Sequence, residues 1–265
     1  NRDNGMLTMP ESVELITDLD KALQNDVIII SVPSQVLRGL MREITAHGAQ
    51  GKLFVLCMKG LEIGTGKRLT EIVEEESPAN RVAVWIGPGH VQEFVRGVPN
   101  CMVIDSKNEE DKRWLVDEFG SDLIRFYYGD DLIGNEIGAA AKNVVGIAAG
   151  MLDGYDLTSL KGALMSRGTR EYARLIVAMG GKPLSAYGLC HLGDYEATVF
   201  SRHSHNRRFG EAFIKGEEFD KLAEGYYTVR ALTATAEKTG VALPISQATY
   251  NLFYDKTPPK DALAP

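Results

Sequence analysis

Lys142 lies inside "GAAAKNVVGIAAG" (138–150), a run of small and aliphatic residues. Gly138, Ala139, Ala140 and Ala141 precede it; Val144, Val145 and Ile147 follow. Small residues let helices approach closely, so a helix here is expected to be central. A desolvated ammonium is disfavoured and its pKa falls. Such a lysine can give or take a proton near neutral pH. The plainer alternative is a lysine whose stem runs along one helix edge and whose head reaches water. Lys59, in "CMKGLEIGTG", follows a buried-strand pattern and precedes Gly60. Ligands of open α/β sheets bind beyond the carboxyl ends of strands, although an ordinary turn lysine would occupy the same place. In "WIGPGHVQEF", Gly87 and Gly89 would let backbone approach a ligand, and His90 could cap the next helix. An ordinary turn is the alternative there.

The densest polar stretch is "HLGDYEATVFSRHSHNRRFGEAF" (191–213). It holds Asp194, Thr198, Ser201, Arg202, Ser204, His205, Asn206, Arg207 and Arg208. A Ser/Asn/Arg cluster at a helix start suits a phosphate, through N–H groups, hydroxyls and a bidentate guanidinium. A solvated basic loop with an N-cap serine has the same composition. The histidines at 90, 191, 203 and 205 match no metal-ligand spacing, so no metal site is expected.

Two kinds of element must position these residues. In the first 130 residues, "DVIIISVPS", "KLFVLCMKG", "RVAVWIGPG", "NCMVIDS" and "DLIRFYYGD" contain short, nearly continuous apolar runs. Such runs suit strands buried on both faces. Helix-like stretches separate them; one carries Val36, Leu37, Leu40 and Ile44 at helical spacing. Strand–helix alternation predicts a doubly wound parallel sheet. Beyond residue 130, "DDLIGNEIGAAAKNVVGIAAGMLDG" predicts one long helix, with an Asp pair at its start and Gly154 after its end. Further helices follow without a strand signal, so an α/β domain (1–130) precedes an all-helical one (131–265). The strand, G-x-G-x-x-G turn and helix that open a nucleotide-binding sheet are not found.

Composition narrows the function. A net charge of -7 disfavours general nucleic-acid binding. No apolar run approaches the roughly 20 residues of a membrane span, and the polar first residues do not read as a signal peptide. Cys57, Cys101 and Cys190 are odd in number and far apart, which points to a reducing cytoplasm.

Together, "VPSQVLR", "KGLEIGTGKRLTEIVEE", "GPGHVQEFVRGVPN", "NEIGAAAKNVVGIAAGMLDG", "GLCHLGDYEATVFSRHSHNRRFGE" and "AEGYYTVRAL" resemble bacterial-type NAD(P)-dependent sn-glycerol-3-phosphate dehydrogenase over nearly the whole chain. The resemblance implies a Rossmann-like sheet domain, with roughly the first 50 residues and their Gly-rich fingerprint absent here. It also implies a helical domain like that of 6-phosphogluconate dehydrogenase behind it. The implied reaction is reversible reduction of dihydroxyacetone phosphate to sn-glycerol 3-phosphate with NAD or NADP, supplying glycerophospholipid synthesis.

On this resemblance Lys142 is the proton donor and acceptor at the C2 oxygen. Lys59 stands at the junction of cofactor and substrate. Asp194, Ser204, His205 and Asn206 line the substrate site, with Gly87 and Gly89 near it. Val91, His205, Leu222 and Glu224 contact the cofactor. Arg207 is the phosphate candidate on charge grounds. Two positions depart from the family pattern. His205 replaces an arginine, so that Arg202 or Arg207 must substitute or the phosphate grip is weaker. Cys190-His191 replaces Ala-Gly before Leu-Gly-Asp and is expected to add bulk beside Asp194. A helical domain of this kind commonly pairs with itself, so a homodimer is an expectation. Two alternatives stay open: a non-catalytic phosphometabolite-binding protein, and a related reductase of another hydroxy acid.

Overall fold

The computed structural model describes Asp3, residues 5–89 and residues 91–258. His90, the expected helix cap, lies outside the described residues. Five strands form one sheet in chain order: β1 (Val27–Ile30), β2 (Leu53–Leu56), β3 (Arg81–Ile86), β4 (Asn100–Ser106) and β5 (Ile124–Tyr128). A single helical turn, α1 (Leu19–Ala22), precedes them. Helices α2 (Leu37–Ala46) and α3 (Leu69–Glu76) make the crossovers that keep β1, β2 and β3 parallel. The expected parallel sheet then reverses, because β4 runs antiparallel to β3. Among the described residues, the five-residue α4 (Val91–Val95) is the one helix between those two strands. A parallel return needs a longer crossover packed on the sheet, whereas an antiparallel one does not. Helix α5 (Glu109–Phe119) restores a parallel pairing between β4 and β5.

Burial on both faces holds for the interior strand β2, all four residues of which are buried. It fails at the edges, where Ile29 of β1 and Tyr127 and Tyr128 of β5 are exposed. On α2 the buried face is Leu37, Met41 and Ile44. Val36, expected on that face, is exposed because it ends a 3-10 turn that precedes the α-helix.

The helical half comprises α6 (Leu132–Gly154), α7 (Lys161–Ala178), α8 (His205–Lys215), α9 (Glu224–Thr239) and α10 (Pro244–Phe253). Helix α6 is central, as its small residues predict, and is buried on nearly every side. Glycines bring α8 against it. A Cβ on Gly150 would lie 1.8 Å from Arg207 O, and one on Gly210 would lie 2.1 Å from Ile147 O. Asp131 occupies the N-cap position of α6 but makes no cap bond. Its carboxylate instead accepts from Lys182 N and Ser185 Oγ, fastening the chain after α7. Gly154 is the last residue of α6 rather than its stop signal.

The two halves are joined where the site forms. Leu61, three residues into the loop after Met58, is fully buried in the core cluster of the helical half. Glu136 of α6 accepts from Arg68 Nη1 (2.6 Å), Thr70 Oγ1 (2.6 Å) and Thr70 N (3.0 Å) at the start of α3. Ser34, just beyond β1, donates from Oγ to Glu224 Oε2 at 2.8 Å.

Candidate active site

Lys142 points inward and is only 7% exposed. Its neighbours in α6 from Ile137 to Ile147 are buried too, so the side chain does not run along an exposed helix edge. Its ammonium donates to Thr198 Oγ1 at 2.7 Å and pairs with Asp194 Oδ2 at 2.7 Å. Lys59, carried by the loop after β2, reaches the same Asp194 oxygen at 2.7 Å and donates to Gly87 O at 2.8 Å. The two ammonium nitrogens therefore lie no more than twice that distance apart. Asp194 is 1% exposed. It ends a short 3-10 turn, Leu192–Asp194, and Thr198 belongs to the π-helical turn Glu196–Phe200 that follows. Single π turns recur at functional sites because they re-aim side chains out of the regular ladder.

The electrostatics follow from this packing. Burial, reinforced by the neighbouring Lys59 charge, pushes the Lys142 amine down from the ordinary lysine range to about 7, against the pull of Asp194. Two cations share one carboxylate, so the cluster carries a surplus positive charge in a poorly solvated place. Such a cluster can hold an anionic oxygen and exchange a proton with it near neutral pH. A cavity of about 430 Å³ is walled by chain neighbours of these residues, among them Pro88 after Gly87, Gly193 before Asp194 and Ala197 before Thr198.

The remaining expected residues divide. Asn206 approaches Lys142 indirectly, donating to Asn143 Oδ1 (3.1 Å) and accepting from Gly225 N (2.9 Å). It latches α6, α8 and α9 together beside the lysine. Gly87 has φ 134, and its carbonyl is the one that Lys59 holds. Gly89 gives its N–H to Met102 Sδ. Ser204 is the N-cap of α8 and accepts from Arg207 N. His205 and Leu222 meet at the surface, where His205 Nδ1 lies 3.3 Å from Leu222 O. Val91 is exposed.

The Arg207 guanidinium pairs with Asp153 and Glu211 and donates to Ser201 O, so its charge has partners within the fold. Arg202 makes no ion pair among the described residues. His191 departs from its expectation. It adds no bulk beside Asp194, because its ring turns into the core and meets Gly138 O and Tyr195. Thr198 was legible only as a member of a polar stretch. Its spacing of four from Asp194 would share a face in an α-helix, but the chain there is a 3-10 turn followed by a π turn, which no sequence signal announced. Among the described residues no three His, Cys, Asp or Glu side chains group as metal ligands.

Two family models cover most of the chain. One, described as the NAD-dependent glycerol-3-phosphate dehydrogenase N-terminus, matches residues 4–112, and its C-terminus counterpart matches residues 131–264. The chain belongs to the NAD-dependent glycerol-3-phosphate dehydrogenase family. A glycerol-3-phosphate dehydrogenase (NAD(P)+) of Chlorobium luteolum is 35% identical over 96% of this chain and 80% of its own length. The corresponding Clostridium perfringens protein is 35% identical over 97% of this chain and 81% of its own. The crystal structure of glycerol-3-phosphate dehydrogenase from Coxiella burnetii superposes with a TM-score of 0.89 at 28% identity, covering 96% of this chain and 81% of that one. At 16% identity and a TM-score of 0.58, D-mandelate dehydrogenase shares the fold alone.

The family implies a nicotinamide dinucleotide, and the residues present fit one. Oxidising an alcohol removes a proton and a hydride together. The cluster supplies a buried amine for the proton, and none of its side chains accepts a hydride. It also lies where the loops after the parallel strands β2 and β3 converge, the usual place for a cofactor in an open α/β sheet.

Proposed function

We propose that this chain oxidises sn-glycerol 3-phosphate to dihydroxyacetone phosphate, and catalyses the reverse reduction, with NAD(P). The observation that carries the reading is the trio of Lys142, Asp194 and Lys59 around one carboxylate oxygen. In the oxidative direction, neutral Lys142 takes the proton of the C2 hydroxyl. In the reductive direction, its ammonium donates that proton to the C2 oxygen, worth about 10²–10⁴-fold for the transfer. Lys59 and Asp194 fix the charge balance: the carboxylate orients both amines, and the surplus cation stabilises the developing alkoxide. The cofactor supplies hydride acceptance and return, and Lys59, Val91, His205, Leu222 and Glu224 are its proposed contacts.

Gly87, Gly89, Ser204 and Asn206 frame the substrate in this reading, with Arg202 in place of Arg207 as the phosphate guanidinium. Binding of the phosphate, remote from C2, contributes energy to positioning the reacting carbon. The boundary between the nucleotide and substrate domains is placed at residues 130–131. The reaction is assigned to the cytoplasm; three free cysteines support this, and no helix is long and apolar enough to cross a membrane among the described residues. Self-pairing of the helical domain belongs to the same reading, and the mass in solution tests it.

The decisive assay follows nicotinamide absorbance with glycerol 3-phosphate and with dihydroxyacetone phosphate, using each cofactor in turn. Turnover with the phosphorylated substrate and none with its unphosphorylated counterpart is expected. Cofactor binding without turnover would leave the family assignment standing and remove the catalytic one.

A further inference from the structure

The turn that carries Asp194 is held to α6 from one side by Lys142 itself. A second hold lies behind it. His191, three residues before Asp194, is fully buried, and its Nδ1 lies 2.9 Å from Gly138 O of α6. Its Nε2 lies 2.7 Å from the hydroxyl of Tyr195, the residue after Asp194. The ring is also wedged edge-on between Tyr172 of α7 and Tyr195, at centroid distances of 5.2 and 4.8 Å. Among the described residues, no other hydrogen bond joins this turn to the backbone of α6.

A backbone carbonyl only accepts, so Nδ1 must carry the proton and Nε2 must take the Tyr195 hydroxyl. Burial keeps the ring in that neutral form, pushing its pKa down to about 4. Burial also pushes the Tyr195 phenol up, so it stays a donor. Gly138 stands four residues before Lys142. In a helix its carbonyl therefore accepts the backbone N–H of Lys142, and His191 uses the second lone pair of that same oxygen. Glycine at 138 is what admits the ring, since a Cβ there would lie 2.9 Å from His191 Cβ.

We propose that His191 is a positioning residue for proton exchange, pinning the turn that bears Asp194 to the turn of α6 that bears Lys142. The inference rests on the reading of Lys142 given above and adds a residue to it. His191 touches neither substrate nor cofactor in this role. It sets the distance between the amine and its counter-charge, and through that distance the proton affinity of the amine. The charged groups facing Lys142 are Asp194 from the 3-10 turn and Lys59 from the β2 loop, so a slackened turn weakens the one attraction that opposes burial.

The test reads Lys142 directly. Competitive acetylation of the substrate-free protein across pH, quantified at Lys142 by mass spectrometry, gives half-reaction near pH 7 in the parent. His191→Phe keeps ring and volume but cannot donate to Gly138. It is expected to lower the proton affinity of Lys142 about tenfold, equivalent to one pKa unit. In the same variant kcat falls on the order of 10²-fold with KM little changed, the size of effect that misplacement distant from the chemistry produces. His191→Asn, whose amide can donate in place of Nδ1, keeps the Lys142 titration within about twofold. A Lys142 titration in His191→Phe equal to the parent's overturns the proposal, as does His191→Asn behaving like His191→Phe. Should His191→Phe not fold, Gly138→Ala, whose Cβ would lie 2.9 Å from His191 Cβ and push the ring off the carbonyl, is read the same way. An ¹⁵N histidine spectrum with the proton on Nε2 also overturns it. Lys142→Ala with undiminished turnover would instead defeat the catalytic reading, and the acetylation result distinguishes the two failures because it needs no substrate.

Discussion

Helix α6 buries two charges six residues apart, Glu136 and Lys142, and they are treated differently. Glu136 meets one arginine and two groups of Thr70, each at hydrogen-bond distance. Its charge is matched one to one, and its oxygens are filled by partners that belong to the fold. Among the described residues, Lys142 shares its one carboxylate with a second lysine, and its other acceptor is a threonine hydroxyl. Both side chains are costly to bury. The satisfied one ties the sheet half to the helical half, and the over-supplied one waits for an anion. Burial pushes the Glu136 carboxyl up as well, so a perturbed pKa alone does not separate the two; the complete set of partners marks structure, and the incomplete set marks chemistry.

The contrast can be broken at either residue. Lys142→Ala is expected to cost about 10²–10⁴-fold in kcat while leaving the melting temperature unchanged or raised, since Asp194 keeps Lys59. Lys142→Arg should lose as much turnover, because a guanidinium holds its proton; a near-normal rate for it would mean that charge alone suffices. Glu136→Gln should do the reverse. It removes the buried carboxylate of Arg68, which keeps only the more exposed Glu71, and costs about 3–5 kcal/mol in denaturant titrations, with KM for glycerol 3-phosphate little altered. A stable Glu136→Gln protein with poor turnover would erase the distinction. Gly150→Ala, which drives a methyl into Arg207 O, should destabilise by about 1–3 kcal/mol.

The amine also sets the pH course. Below about 7 Lys142 holds its proton and cannot accept another. Glycerol 3-phosphate oxidation should therefore rise with pH and level off above that value, while dihydroxyacetone phosphate reduction declines over the same range. Identical pH profiles in both directions would remove Lys142 as the exchanging group. The smallest effect is expected at Arg207→Met. It loosens the contact with Asp153 and lowers the melting temperature, but KM for the phosphorylated substrate stays within about twofold, because that guanidinium is already engaged.

Much of this arrangement was legible in the chain. The five apolar runs become the five strands, and the small-residue stretch around Lys142 becomes the central helix, because local pattern and tertiary role agree there. The direction of β4 was not legible, since side-chain burial does not report which way a strand runs. It depends on how little chain joins it to β3. The pairing of Arg207 was not legible for a similar reason. Its partner Asp153 is 54 positions earlier in the sequence and reaches it only through the glycine-mediated approach of α8 to α6. His191 departs from the family pattern, and its sequence gave no sign that the ring would turn away from Asp194. That follows only from the glycine at 138.

Leu61 adds one consequence. Covalently it belongs to the strand-bearing half, yet its side chain is anchored among the helices, two residues beyond Lys59. When the two halves of such a protein hinge, short connecting loops absorb the rotation. Here the loop carrying Lys59 is moored to the opposite shore, so the spacing of the two amines travels as a fixed unit.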